Sequence, residues 1–339
     1  MGAASCAASA PLPRAGGAGG GHVQRSVAQT SPPLTSSARG RGTVALIALA
    51  LSSCAAGPRT EVRHAGDVAP IEHAGWIPPA PAIPTGIQYL YGSGEAAAAS
   101  QQTWRSIVSY VARQVATPPQ DSVVLAPDAT LAALKWVPCG SKPKAVVFDV
   151  DETVLLNTGF EYDEALHPGR SYDEKRWQAW ERSGGTKLLP TPGSVRALGV
   201  IRQMGVTVVF NTNRSAANAD TTRAAIEGAG LGPAIHGETL YLSGDDAMGS
   251  KKDGRRATIA ANYCVVAMGG DQLGDFSDLF NAGLTPAARR AAVLTEPLIT
   301  VFGAGWFMLP NPAYGTALKG GVDDIFAPAQ RWNSTEPTP

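Results

Sequence analysis

The chain has 339 residues, 28 Lys and Arg against 28 Asp and Glu, and 44% hydrophobic content. That length fits one or two domains, and the apolar content excludes a wholly disordered or collagen-like chain. Zero net charge argues against a nucleic-acid partner, which needs a basic surface; four Cys without a CxxC pair exclude a disulfide scaffold and a zinc ribbon.

Residues 1–42 are dominated by Gly, Ala, Ser and Pro, with Arg14, Arg25, Arg39 and Arg41 as their full charges. They have little apolar surface to bury and are predicted to be disordered. Residues 43–51 then form an apolar run too short to span a membrane. It fits the apolar region of a secretory signal peptide. The run ends in Leu51-Ser52-Ser53-Cys54, which resembles a bacterial lipobox, so Cys54 is the expected lipidation site. The alternatives are an ordinary signal or a short buried helix. Residues 1–53 are thus expected to be a signal peptide with a disordered extension. Residues 54–92, rich in Pro, are expected to be a flexible tether. A single lipid anchor would seat the protein on a membrane without crossing it. The expected location is the periplasmic side of a bacterial envelope, at the outer membrane. An oxidising compartment would let Cys139 and Cys264 pair. Cys264, however, lies in the apolar run 263–268, which favours a buried free thiol.

In chain order, Trp104, Ile107, Val108, Val111 and Val115 recur at helical spacing. Glu95 and the Ala run open that helix, and Pro118-Pro119 close it. Residues 128–136 read as a second short helix. Residues 144–148 form a short β-branched run, the pattern of a buried parallel strand. A helix is predicted over 194–204, with Val195, Leu198 and Ile201 inward. Strands are predicted over 206–210, 263–268 and 298–302, and a helix over 221–228. The alternation implies an α/β fold: a Rossmann-like parallel sheet with helices on both faces, preceded by a helical segment.

Ligands bind beyond the carboxyl ends of such strands. Asp149-Val-Asp151-Glu-Thr153 follows the first strand, Asn211-Thr212-Asn213-Arg214 the second, and Gly269-Gly270-Asp271-Gln-Leu-Gly-Asp275 the third. Ser250-Lys251-Lys252-Asp253-Gly-Arg255-Arg256 opens an intervening helix. Clustered carboxylates repel unless a cation sits among them, and oxygen-only ligands suit a hard ion such as Mg²⁺. A carboxylate beside such an ion can act as a nucleophile toward phosphorus. Lys252 can supply charge, Thr212 a hydrogen bond and Asp151 a proton.

Five ordered segments carry a resemblance: Asp149-Val-Asp-Glu-Thr-Val-Leu-Leu-Asn157, Phe-Asn-Thr-Asn-Arg214, Lys252-Asp-Gly-Arg255-Arg, Gly-Asp271-Gln-Leu-Gly-Asp275-Phe and Leu309-Pro-Asn-Pro-Ala-Tyr-Gly315. Together they resemble the haloacid dehalogenase superfamily, and within it the class C, lipoprotein-e-like acid phosphatases of subfamily IIIB. The resemblance implies a phosphatase domain over 93–330 with a small cap at 160–190. It implies Asp149 as nucleophile, Asp151 as general acid/base, Thr212 on the phosphoryl group and Lys252 neutralising it. Asp149, Asp151 (through its carbonyl), Asp271 and Asp275 would hold Mg²⁺. Asn213, Arg255, Phe160, Trp177 and Tyr314 would meet the substrate, although Arg255 reads more as a support than as a base contact. The Trp177–Trp180 pair at i, i+3 reads equally well as core packing.

The implied reaction is acidic hydrolysis of phosphomonoesters, 5′-nucleotides foremost, through an aspartyl phosphate. Homodimerisation is plausible by the same resemblance. A phosphotransferase using the same phosphoenzyme is an alternative, as is a non-catalytic envelope lipoprotein that captures nucleotide or haem.

Overall fold

The computed structural model describes residues 82–333. The expected signal segment, Cys54 and residues 55–81 of the expected tether lie outside them. The described chain opens with α1 (Thr85–Gly92) and α2 (Gly94–Ala116). The expected tether is therefore corrected at its C-terminal end. Its last proline, Pro84, is the N-cap of α1, and the proline-free stretch that follows is helical. The Ser93 hydroxyl caps α2 by accepting from the Ala96 amide. Trp104, Ile107 and Val111 form the buried stripe of α2.

β1 (Asp121–Leu125) and β2 (Trp136–Pro138) pair antiparallel, and the helix expected over 128–136 is absent. Nine residues make a marginal helix. Here Thr130 and Ala133 bond to each other in a tight turn instead, and Leu131 and Leu134 reach the core from it.

β3 (Lys144–Phe148) is the central strand. After it come β4 (Leu155–Leu156), α3 (Thr158–Leu166), α4 (Glu174–Ser183) and β5 (Leu189–Pro190), with β4 and β5 paired antiparallel. Then follow α5 (Ser194–Gln203), β6 (Thr207–Ser215), α6 (Ala219–Gly228), β7 (Leu240–Ser243), α7 (Asp253–Asn262), β8 (Cys264–Gly270), α8 (Pro286–Val293) and β9 (Trp306–Met308). The five-stranded sheet is parallel throughout, in the order β7-β6-β3-β8-β9.

Its pleat sorts the core. Val146 and Phe148 face α2, α5 and α6, while Ala145 and Val147 face α7 and the β1–β2 pair. The predicted strand over 298–302 is corrected. Leu298–Thr300 is a 3₁₀ turn, and the edge strand is β9. Leu298 and Val301 are buried nonetheless, so the apolar run reported burial and not conformation. The four-residue β7 escaped detection. Val195 is also corrected. The buried stripe of α5 is Ser194, Ala197, Leu198 and Ile201, which leaves Val195 40% exposed.

Cys139 and Cys264 form a disulfide, contrary to the expectation of a free thiol. Both are buried; the Cys139 amide bonds Gln120 O at the start of β1, the Cys264 amide bonds Pro143 O ahead of β3, and β1 packs against β8, which sets the two cysteines side by side. The sequence offered this pair, but the apolar run around Cys264 favoured a free thiol, because burial alone does not report which distant segment lies beside it.

Candidate active site

The loop after β3 is built around one carbonyl. Val150 O accepts from the amides of Thr153, Val154 and Leu155 at 3.3, 3.0 and 2.9 Å. The turn puts Glu152 at φ +53°, the one non-glycine residue at positive φ among the described residues. That conformation costs roughly 1–2 kcal/mol. Hydrogen bonds over-determine it: Glu152 accepts from Tyr91 Oη at 2.6 Å, from the Asn157 amide at 2.9 Å and from the Tyr314 hydroxyl. Glu152 thereby ties α1 and the C-terminal segment to the loop. Burial, with Asp151 adding, pushes its carboxyl up to about 7, against the pull of the two tyrosines.

Three carboxylates converge beyond β3 and β8. Asp149, Asp271 and Asp275 each offer an oxygen within 4.8 Å of the others. Lys252 Nζ donates to Asp149 Oδ1, and to Asp275 Oδ1 at 2.7 Å. Asp271 accepts from Thr153 Oγ1 at 3.1 Å, Gln272 Nε2 at 3.0 Å and Asn311 Nδ2 at 2.8 Å. Asp275 accepts from the Gln272 amide at 2.9 Å. The sequence lets Asp275 come this close because position 270 is glycine: a Cβ there would lie 2.3 Å from the Asp275 Cβ. Lys252 is positioned at the N-cap of α7, its amide bonded to Asp278 at 3.0 Å, whereas the adjacent Lys251 is exposed.

Burial lifts Asp149 well above the usual carboxylate range; Lys252 opposes this, and Asp275, Asp271 and Asp151 add to it. Burial and then Asp275 push Asp271 to about 7. Burial alone would lower Lys252, but Asp149 and Asp275 more than reverse this and keep it charged. Three buried carboxylates thus face one ammonium. The donor set is all oxygen and carries two uncompensated negative charges when ionised, which fits a hard divalent cation.

Asp151 stands apart, held on several sides. Arg214 donates Nε at 2.9 Å and Nη2 at 2.7 Å, Asn157 donates Nδ2 at 2.9 Å, and Thr212 Oγ1 donates at 3.4 Å. Asn157 is itself held by Arg214 and by Trp180 Nε1, both at 2.9 Å. Sequence reasoning gave no role to Arg214, Asn157 or Asn311. The signal was available, because all three lie inside the quoted segments.

A cavity of about 700 Å³ opens over these groups, with Asp149, Asp151, Lys252, Asp271 and Asp275 on its floor. Phe160, Trp177, Tyr314 and Asn213 also line it. Phe160 and Trp177 meet edge to face with centroids 5.0 Å apart, and the Arg176 guanidinium lies 4.6 Å from the Phe160 centroid. The tryptophan pair splits: Trp177 lines the cavity, while Trp180 packs against Gly159 and Gly184. Thr212 is fully buried and faces Asp151. Arg255 is absent from the cavity wall. It is buried, and its guanidinium donates to Thr212 O, Asn213 Oδ1 and Lys251 O.

Residues 92–317 match a family model described as the HAD superfamily, subfamily IIIB (acid phosphatase). Among solved structures, the chain is similar to the class C acid phosphatase from Bacillus anthracis, with 24% identity, a TM-score of 0.56, and coverage of 69% of this chain and 85% of that one. A second structure of the Bacillus anthracis enzyme, with tungstate bound, matches at 22% identity and a TM-score of 0.56, covering 74% of this chain and 97% of that one. At these identities the likeness shows the fold.

Proposed function

The chain belongs to the haloacid dehalogenase superfamily, subfamily IIIB, a family of acid phosphatases, and is a phosphomonoester hydrolase; from that premise we propose that it acts through an aspartyl phosphate on Asp149, with nucleoside 5′-monophosphates as its substrates. The observation that carries this reading is the meeting of Asp149, Lys252, Asp271 and Asp275 on the floor of an aromatic-walled cavity.

Asp149 attacks phosphorus, and the bond to the ester oxygen breaks. Asp151, held in line by Arg214 and Asn157, gives its proton to the departing alkoxide. Water then attacks the phosphoaspartate, returning a proton to Asp151 and releasing phosphate. Lys252 balances charge on the transferring group and keeps Asp149 oriented. A divalent cation held by Asp149, Asp271 and Asp275 would supply the remaining positive charge; Mg²⁺ is the proposed ion. Phe160, Trp177 and Tyr314 offer flat surfaces for a nucleobase.

The Cys139–Cys264 disulfide supports an oxidising compartment, in keeping with the proposed envelope location and the lipid anchor at Cys54. Among the described residues no helix is long and apolar enough to cross a membrane.

The test is phosphate release from p-nitrophenyl phosphate and 5′-AMP, with Mg²⁺ or EDTA, for the wild type and Asp149→Asn. Metal-dependent release from both esters, lost in Asp149→Asn, is expected. Retained turnover in Asp149→Asn would exclude the proposed nucleophile.

A further inference from the structure

Glu161 is a charged residue of the cavity that the catalytic reading does not use. It sits in the first turn of α3, beside Phe160, and is 5% exposed, with its open surface on the cavity. Its charged neighbours on that wall are engaged with one another. Arg176 donates to Asp163 at 3.1 Å and also meets Glu164, Arg170 holds Glu164 at 3.1 Å, and His167 Nδ1 lies 2.8 Å from Asp163 O. Among the described residues no donor reaches the Glu161 carboxyl; only charges act on it from a distance. Its carboxyl oxygens open onto the cavity, so a ligand that displaces water there must meet them or leave them unmet at a cost of about 1–3 kcal/mol.

We propose that Glu161 is a specificity-determining residue that hydrogen-bonds a hydroxyl of the leaving alcohol, so that the enzyme prefers hydroxyl-bearing phosphomonoesters such as ribonucleotides or glycerol phosphates. This rests on the phosphatase reading above. Burial, with Glu152 and Glu164 adding and Arg176 opposing, pushes the Glu161 carboxyl up to about 8. Below that pH it is a neutral acid. It then offers one donor and one acceptor, the complement of a hydroxyl, and little attraction for a cation. A site built to bond a hydroxyl rejects the analogue lacking it, because the protein group is then left buried and unpaired.

The experiment uses two ester pairs that differ only in hydroxyls: 5′-AMP against 2′,3′-dideoxyadenosine 5′-monophosphate, and glycerol 3-phosphate against propyl phosphate. kcat/KM is measured for each with the full-length wild type, Glu161→Gln and Glu161→Leu. The ratio within one variant cancels differences in folded fraction. In the wild type at least one pair is expected to differ by about tenfold or more. Glu161→Gln, which retains a donor and an acceptor, keeps that ratio, and Glu161→Leu collapses it to within about twofold. A wild type that separates neither pair, or a ratio that survives in Glu161→Leu, overturns the proposal. Phenyl phosphate is assayed alongside. Turnover of phenyl phosphate without hydroxyl discrimination removes the Glu161 role alone. Absence of turnover with every ester removes the phosphatase reading and this proposal with it.

Discussion

The sheet edge and Glu161, on the cavity side of the α3–α4 insert, meet their carboxyls in opposite ways. At the sheet edge the carboxylates are met by protein: Asp151 by Arg214 and Asn157, Asp271 by Thr153, Gln272 and Asn311, and Asp149 and Asp275 by Lys252. On the insert, Glu161 has no such partner, and Phe160 and Trp177 turn toward open space. The difference separates two tasks. Phosphoryl transfer needs fixed charges that cost no reorganisation when the bond breaks. Recognition of the leaving alcohol needs groups whose partners arrive with the substrate.

Breaking the sheet edge carries the largest effect. Lys252→Met leaves Asp149 and Asp275 buried without their ammonium. It is expected to lower kcat by about 10²-fold or more and stability by roughly 3 kcal/mol, read by steady-state kinetics and denaturant melts. Arg214→Lys retains the charge but loses the two-point contact that orients Asp151. A fall of about tenfold in kcat is expected, with KM changed far less. Trp177→Ala strikes the other region. It is expected to raise KM for 5′-AMP about tenfold while leaving KM for a small ester such as propyl phosphate near its wild-type value, since ring stacking is worth about 1–3 kcal/mol per base.

A further expected effect, spread over several carboxyls, is on the pH dependence of the metal-free protein's stability. Asp271 and Glu152 have folded values near 7, and Glu161 near 8, all above the unfolded value of about 4. The folded state therefore holds extra protons between about pH 4 and 8, and stability falls as pH rises through that window. The melting temperature with EDTA should drop by about 5 °C or more from pH 5 to pH 8, and Mg²⁺ should narrow the gap by compensating the sheet-edge carboxylates.

Much of the sheet edge was legible in the sequence. β3, β6 and β8 announce themselves as short β-branched runs, and the acids that follow them had to meet once the strands lay parallel. What stayed hidden depends on approach between distant segments. The pairing of Cys139 with Cys264 needs the β1–β2 pair laid against β8, and the Arg214 contact with Asp151 needs β6 beside β3. Leu298–Thr300 shows the same limit from the other side. Its hydrophobicity placed it in the core, but an apolar run that short does not distinguish a turn from a strand. Glu161 was hidden too, because a glutamate in a first helical turn looks like an ordinary end charge until the cavity beside it is seen.

The most direct test of the account is to trap the phosphoenzyme. Wild type is mixed with ³²P-labelled 5′-AMP and Mg²⁺, quenched in acid within milliseconds, and the labelled peptide is mapped. The account predicts a hydroxylamine-labile label on the peptide containing Asp149, lost in Asp149→Asn. Phosphate released at full rate from an enzyme that carries no label there would contradict it.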